Sequence, residues 1–277
     1  MQALKKHFYF ILFIFLICFS NVNSQTKEFP YKLKKTNDII LLTTAFSTSL
    51  IFYYIDNNFP IDYLSDNEII KLTREDINSF DRSATYNWSE KSDKASDYLK
   101  LGMQYAPVLL AFPEIKNKNW NTILTLGVMY FEGYLLNSSL TGSTKLVVQR
   151  KRPFLYNTSL DDAKRIDLGA SESSYKSFYS GHSSSTFFNA VFISQVITDV
   201  YGKSTFSYIV WGLSLSAAAA TGYLRYDAGQ HFPTDIIVGA ITGSAIGYLI
   251  PLLHKTKTDR IMIFVTNEKG IGMVINF

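Results

Sequence analysis

Six apolar segments of helical length are the feature that most limits how this 277-residue chain can fold. Polar stretches separate them, and four of the six lie after residue 119. The pattern predicts an all-α domain, a bundle of about six helices. The segments cover residues 39–55, 98–112, 120–140, 184–200, 205–224 and 235–253.

The remaining regions set the predicted domain organisation. Residues 25–118 are expected to hold N-terminal helices and a polar surface excursion with short helices over residues 56–97. Residues 119–255 are expected to form the core bundle. The tail splits into two short β-like runs around Asn267 and Gly270, which predicts a short β-hairpin within residues 256–277.

The first 24 residues are typical of a secretory signal peptide. Lys5 and Lys6 precede an apolar run over residues 8–19, and the small residues Val22 and Ser24 stand just before Gln25. Twelve apolar residues are short for a membrane span, which favours cleavage over an uncleaved signal anchor. The sequence therefore predicts export to a periplasm or to the cell envelope.

Composition excludes several classes of protein. A net charge of only +4 gives no basic stripe for a nucleic-acid partner. One Cys and four His exclude a Cys/His zinc cluster and a disulfide framework, so we expect no metal and no cofactor. A mean hydropathy of +0.05 is low for six membrane spans. Whether the helices cross a bilayer or the bundle only touches a membrane surface therefore stays open.

Three short motifs hold the residues that are suited to chemistry. They are Lys145 with Arg152; Ser180, Gly181 and His182; and Arg225 with His231 and Asp235. The three cations of these motifs are placed at predicted helix ends, beside small residues that let a ligand approach the backbone. Arginine gives a phosphate bidentate contacts and lysine gives it a point charge. The N–H groups at the start of the helix near Ser183 favour the same anion.

The histidines indicate the chemistry. Asp235 follows His231 by four residues, and it can accept a hydrogen bond from one imidazole nitrogen while the other acts as a nucleophile. His182 can protonate the leaving oxygen. The set fits phosphoester hydrolysis through a phosphohistidine, with no metal required. His254, next to Lys255 and without a partner pattern, is expected at the surface.

The pattern K-x6-R-P, then S-G-H, then R-x5-H-x3-D resembles the type 2 phosphatidic acid phosphatase and vanadium haloperoxidase superfamily, over about residues 119–253. The resemblance implies a helical bundle of that kind, with His231 as nucleophile, Asp235 as its orienting partner and His182 as general acid. It also implies a set of phosphate ligands: Lys145, Arg152, Ser180, Gly181 and Arg225. Two positions depart from the family, because Tyr179 replaces its usual Pro and Leu224 its usual Ser.

The resulting hypothesis is a metal-independent phosphatase that hydrolyses phosphomonoesters or pyrophosphates of a lipid or small molecule, in contact with a membrane. Three alternatives stay open at this point: a phosphotransferase to an envelope lipid, a vanadate-dependent haloperoxidase, and a non-catalytic envelope protein that keeps the fold. The sequence gives no indication of the oligomeric state.

Overall fold

The fold is a bundle of helices, as the sequence predicts. A computed structural model describes residues 29–58, 60–256, 261–265 and 271–275, so the predicted signal peptide lies outside the described residues. Six of the described helices have 16 residues or more, which confirms the all-α prediction. The helices are α1 (Lys35–Asn58), α2 (Asp66–Lys71), α3 (Glu90–Tyr105), α4 (Phe112–Lys116), α5 (Trp120–Val148), α6 (Asp162–Gly169), α7 (Gly181–Tyr201), α8 (Thr205–Asp227) and α9 (Pro233–His254).

Polar residues extend two of the long helices beyond their apolar segments. Helix α3 begins at Glu90 and not near residue 98, because the Ser89 side chain caps it by accepting a hydrogen bond from the Ser92 backbone N–H at 3.2 Å. Helix α5 continues past residue 140 to Val148. Lys145 therefore lies on the last turn of α5, at a helix end as expected.

The predicted polar excursion packs against the bundle. It does contain short helices, namely α2 and two 3₁₀ turns at Arg74–Asp76 and Arg82–Tyr86. However, Asp81 is only 1 % exposed, and α3, which begins inside this region, packs against α7 and α8. Residues before 119 therefore reach the same end of the bundle as the motifs.

Helix α7 lies at the centre of the bundle and packs against α5, α8 and α9. Its Phe188 and Phe192 are buried together with Met129 of α5 and Ile250 of α9. Burial of an apolar side chain of this size stabilises a fold by about 1.5–3 kcal/mol. The polar side chains of the three motifs lie outside this apolar centre, at one end of the bundle.

Three glycines allow α9 to touch the backbone of α7. Gly239, Gly243 and Gly247 are spaced by four residues and so lie on one face of α9. A Cβ at Gly239 or Gly247 would lie 2.6 Å from a backbone oxygen of α7 or of its N-cap, and one at Gly243 would lie closer still. The close contact brings the first turns of α7 and α9 together, where the Ser180 N–H donates to the Asp235 carbonyl at 3.0 Å.

The chain before α1 closes over the far end of α9. Tyr31 pairs with Lys255 as a β-bridge, and the Lys32 N–H donates to the His254 carbonyl at 3.0 Å. His254 is 0 % exposed, so its predicted surface position was wrong. The flanking lysines suggested exposure, but the N-terminal segment and α1 cover this end of the helix.

Two described helices are long and apolar enough to cross a bilayer, judged by length and composition alone. They are Asp38–Asp56, with a mean hydropathy of 1.5, and Pro233–His254, with 2.0. The outer faces of several helices also expose large apolar side chains. Phe46, Leu213 and Ile241, from three different helices, are 53–64 % exposed.

Two strands follow the bundle. β1 (Ile261–Val265) and β2 (Ile271–Ile275) pair antiparallel, with Ile261 opposite Ile275. Residues 266–270, where the turn of the predicted hairpin falls, lie outside the described residues. The hairpin as a complete unit therefore stays a prediction.

Candidate active site

The structure brings the predicted site residues together at one end of the bundle. Lys145 lies on the last turn of α5, His182 on the first turn of α7 and Arg225 on the last turn of α8. His231 lies in the link between α8 and α9, and Asp235 on the first turn of α9. Four helix ends thus supply one cluster from three separate stretches of sequence.

Arg152 and Arg225 converge on a single oxygen atom. The Gln230 side-chain oxygen Oε1 accepts a hydrogen bond from Arg152 Nη1, and Arg225 Nη2 donates to it at 3.4 Å. Arg152 Nε also donates to the Ser173 carbonyl at 2.7 Å, which fixes the plane of that guanidinium. Both arginines are buried, at 8 % and 4 % exposure. An oxygen of a bound phosphoryl group at this place would receive two charge-assisted hydrogen bonds.

Arg152 and Arg225 are buried and Lys145 is half-buried, and the charges of these three cations interact. Burial, together with the charges of Arg152 and Arg225, lowers the pKa of Lys145 to about 7. Burial and the charge of Arg225 lower the pKa of Arg152 to about 9. Lys145 Nζ donates to the Lys176 carbonyl at 2.9 Å. Like charges held this close favour a bound anion, which would offset their repulsion.

His231 is a neutral imidazole in this environment. It is 1 % exposed, and burial and the charges of Arg152 and Lys145 hold its pKa well below its usual value. Its Nδ1 lies 3.6 Å from Asp235 Oδ2, which is longer than a hydrogen bond. The predicted pair is therefore adjacent but not hydrogen-bonded in this state.

The Asp235 carboxylate already has other partners. Its Oδ2 accepts hydrogen bonds from the Ser177 hydroxyl at 2.6 Å and from the Phe232 N–H at 3.0 Å. Its Oδ1 accepts from Arg150 Nη1 at 2.5 Å. These contacts hold the carboxylate in place beside His231. Neither Arg150 nor Ser177 was identified from the sequence, because only tertiary packing shows which cation and which hydroxyl reach Asp235.

Asp81 extends this network to the chain before α3. Its Oδ2 accepts from Arg150 Nη2 at 2.8 Å and from the Thr234 hydroxyl at 2.7 Å, while its Oδ1 accepts from the Thr234 N–H at 3.0 Å. A carboxylate at the N-terminus of α9 is stabilised by the exposed N–H groups of that helix. Arg150 is thereby fixed between two buried acids.

His182 faces α3. Its Nε2 lies 2.7 Å from Asp97 Oδ1, and its side chain is 17 % exposed. Burial lowers the pKa of His182, and the charges of Arg225 and Lys100 lower it further. Among its close neighbours, the Asp97 carboxylate favours the protonated imidazole. This histidine is thus placed between solvent and the cation cluster.

One face of α3 covers the cluster with charged and polar side chains that the sequence interpretation missed. Asp93 accepts from Arg225 Nη1, and the Ser96 hydroxyl lies 3.2 Å from the same nitrogen. Asp93, Ser96, Asp97 and Lys100 follow the spacing of one helix face. That spacing was a usable signal, but the first three of these residues lay in a segment interpreted as a surface excursion.

Ser180 and Gly181 shape the start of α7. The Ser180 hydroxyl oxygen caps the helix by accepting from the Ser183 N–H at 3.3 Å. Gly181 lies against α5, where an added Cβ would come 3.2 Å from Thr141 Cγ2. Tyr179, which replaces the family's usual Pro, is buried, and its hydroxyl accepts from Thr141 Oγ1 at 3.2 Å. The α7 N-terminus adds its partial positive charge to the cation cluster.

Comparison with known families identifies the chain. A family model described as the PAP2 superfamily matches residues 123–259, a range that contains all three motifs. The protein belongs to this superfamily, that of the type 2 phosphatidic acid phosphatases and haloperoxidases. Its members act on phosphorylated substrates and are usually phosphatases. Comparison with curated proteins and with solved structures found no match.

Proposed function

We propose that this protein is a metal-independent phosphatase that hydrolyses phosphomonoesters or pyrophosphates of a lipid through a phosphohistidine on His231. The observation that carries the proposal is the convergence of Arg152 and Arg225 on one oxygen position beside a buried, neutral imidazole. Such a site binds a tetrahedral anion and offers it a nucleophile at the same time.

In the first step, a ring nitrogen of His231 attacks phosphorus and forms a P–N bond. The P–O bond to the leaving group breaks, and its electron pair passes to the leaving oxygen, which takes a proton from His182. The lowered pKa of His231 supports this role, because only the neutral imidazole has a lone pair to donate. Phosphate charge entering the site favours the protonated form of His182 that the step needs.

Asp235 orients His231 and stabilises the positive charge that develops on the ring. The present 3.6 Å separation closes to a hydrogen bond when substrate draws the imidazole into line, since catalytic hydrogen bonds are often long before substrate binds. Arg150 and Ser177 hold the carboxylate still during this movement. They are positioning residues in this proposal.

The cations stabilise the charge on the non-bridging phosphoryl oxygens, which is the main source of catalysis in phosphoryl transfer. Arg225 exchanges one anion for another when substrate binds. Its Nη1 is held by Asp93 before binding and by a phosphoryl oxygen afterwards. The Asp93 carboxylate is thus the partner of the guanidinium that the substrate replaces in this proposal.

In the second step, water attacks the phosphohistidine. The P–N bond breaks, its electron pair returns to the ring of His231, and His182, now neutral, accepts the proton of the water. Inorganic phosphate leaves, and both histidines regain their starting protonation states. The cycle therefore balances without a metal or a further reactant.

A lipid substrate is supported by where the site lies on the molecule. The cluster begins at the first turn of Pro233–His254, one of the two helices long and apolar enough to cross a bilayer. The end of a spanning helix lies at the depth of lipid headgroups. The apolar side chains exposed on the helix faces fit contact with lipid chains. Export to a periplasm or cell envelope remains part of this proposal.

The experiment measures phosphate release by the purified full-length chain in EDTA, from phosphatidic acid, an isoprenyl diphosphate and p-nitrophenyl phosphate. The proposal predicts release from the lipids that exceeds release from the small ester, and loss of release in His231→Ala. Equal release from the small ester would overturn the lipid preference. No release from any of the three would overturn hydrolysis, and transfer to an added lipid acceptor or vanadate-dependent halide oxidation would then be assayed.

A further inference from the structure

A second polar cluster lies at the end of the bundle opposite the motifs. Asp38 of α1, Glu132 of α5 and His254 of α9 place their carboxylate and imidazole atoms within 4.8 Å of one another. His254 Nε2 lies 3.0 Å from Asp38 Oδ1 and 3.2 Å from Glu132 Oε2. None of the three belongs to a motif of the phosphate site.

The cluster is far from the catalytic residues. His254 follows Asp235 by 19 residues on the same helix. At 1.5 Å per helical residue, the two are about 28 Å apart. A ligand bound here would therefore not touch the substrate.

Four polar side-chain atoms of the cluster are buried without a hydrogen bond. Glu132 is 1 % exposed and His254 is 0 % exposed. Among the described residues, no hydrogen-bond partner reaches Asp38 Oδ1, either side-chain oxygen of Glu132, or His254 Nε2. The His254 imidazole is the ion-pair partner of both carboxylates, and one imidazolium does not neutralise two buried carboxylates. These atoms lie close to one another, and a cation bound between them would neutralise their charge.

His254 has the arrangement of a metal-binding histidine. Its Nδ1 lies 2.8 Å from the Ile250 carbonyl and is placed to donate to it, which leaves Nε2 as the nitrogen with a lone pair facing the two acids. A ligating histidine commonly donates its second N–H to a backbone carbonyl in this way. The Ile250 carbonyl thus sets the ring orientation.

A proton alone satisfies the cluster poorly. One Nε2–H can be donated to only one of the two carboxylates that face it. Two carboxylates and one imidazolium also leave a net negative charge. By contrast, ligands of a tetrahedral zinc ion at 2.0–2.1 Å are about 3.3 Å apart. The observed separations of 3.0 and 3.2 Å are close to that value.

We propose that Asp38, Glu132 and His254 bind a divalent transition-metal ion of the zinc type. One imidazole and two carboxylates suit this class of ion, with water in the fourth position. The ion joins three helices that are distant in sequence, so its role is to hold α1 against α5 and α9. This role is independent of the phosphohistidine chemistry, which needs no metal.

The test titrates zinc chloride into the purified full-length chain after removal of metals with a chelator. Calorimetry is expected to give one zinc ion per chain. Thermal unfolding is expected to shift upward by about 5 °C or more at a hundredfold excess of zinc over its Kd. Neither readout uses phosphate release, so an enzyme inactive on every phosphate ester still tests this proposal.

The matched variants are Glu132→Gln, which keeps the side-chain shape, and Glu90→Gln, which alters an exposed acid of α3. The proposal predicts at least a tenfold loss of zinc affinity in the first and none in the second. Asp38→Asn replaces the first variant if that one does not fold. Absence of stoichiometric zinc binding to the unmodified chain, or unchanged affinity in both cluster variants, would overturn the proposal in favour of a protonated ion cluster.

Discussion

Replacing Gly239 by Ala tests the contact that aligns the two catalytic helices. The added Cβ would lie 2.6 Å from the Ser180 carbonyl oxygen and 3.3 Å from Ser183 Cβ. The first neighbour is backbone and cannot rotate away, so α9 and the start of α7 must separate by nearly 1 Å to reach ordinary contact. Overpacking of this kind destabilises a fold by about 1–3 kcal/mol.

Gly212 provides the matched control. It also lies inside a long helix, α8, but a Cβ there would meet nothing within 4 Å. Both substitutions gain the same helix propensity, up to about 1 kcal/mol, and this term cancels when the two variants are compared. We expect Gly239→Ala to be less stable than Gly212→Ala by about 2 kcal/mol, a difference of about 4–8 °C in Tm.

The separation of α9 from the start of α7 should also lower the catalytic activity. Gly239 lies one turn after Asp235, and Ser180 lies two residues before His182. A misplacement of about 1 Å lowers a rate by roughly 10²-fold, so kcat/KM of Gly239→Ala should fall at least tenfold. The assays are thermal unfolding and phosphate release on both full-length variants. Equal stability and equal activity of the two variants would refute the close packing of α7 on α9.

Three further predictions concern charge in the site. Arg152→Lys should lower kcat by about 10²–10³-fold in steady-state phosphate release, because a lysine cannot be anchored on the Ser173 carbonyl and direct a second N–H at the phosphoryl oxygen, as Nε and Nη1 of the arginine do; an unchanged kcat would contradict the convergence geometry. Asp97→Asn should move the basic limb of the pH–rate profile to lower pH, since the pKa of His182 is already lowered by burial and cations and the variant removes its carboxylate partner. Glu90→Gln on the same helix should leave that limb in place. Binding of inorganic phosphate should take up protons near pH 7–8 and weaken at higher pH, because the anion raises the pKa of Lys145 from about 7. Calorimetry in buffers of different ionisation enthalpy measures the proton uptake, and a binding enthalpy that is the same in every buffer would contradict this prediction.

The helices could be predicted because apolar runs mark buried helix faces whatever their neighbours are. Their ends could not, since polar residues such as Ser89 and Lys145 complete a helix without changing its apolar pattern. The burial of His254 was missed for a related reason. Lys255 and Lys257 follow it in the sequence and suggested exposure, and only the return of the chain over the end of α9 excludes water from it.

The site could be predicted where spacing along one chain segment matches a motif, as for His231 and Asp235. It could not be predicted where partners come from distant segments. Arg150 is one of several cations in a basic stretch, and only packing places it on Asp235. Asp93 and Asp97 lie on a helix outside the motifs, and they approach Arg225 and His182 through tertiary contact alone.

In the proposed mechanism, phosphorus becomes covalently bonded to a ring nitrogen of His231. The most direct measurement is rapid quenching of the full-length chain with a ³²P-labelled lipid phosphate, followed by mapping of the labelled residue. A phosphohistidine on His231 predicts label on that residue that is stable in base and lost in acid, and none in a folded His231→Ala variant. Label on another residue, or full turnover by His231→Ala, would contradict it.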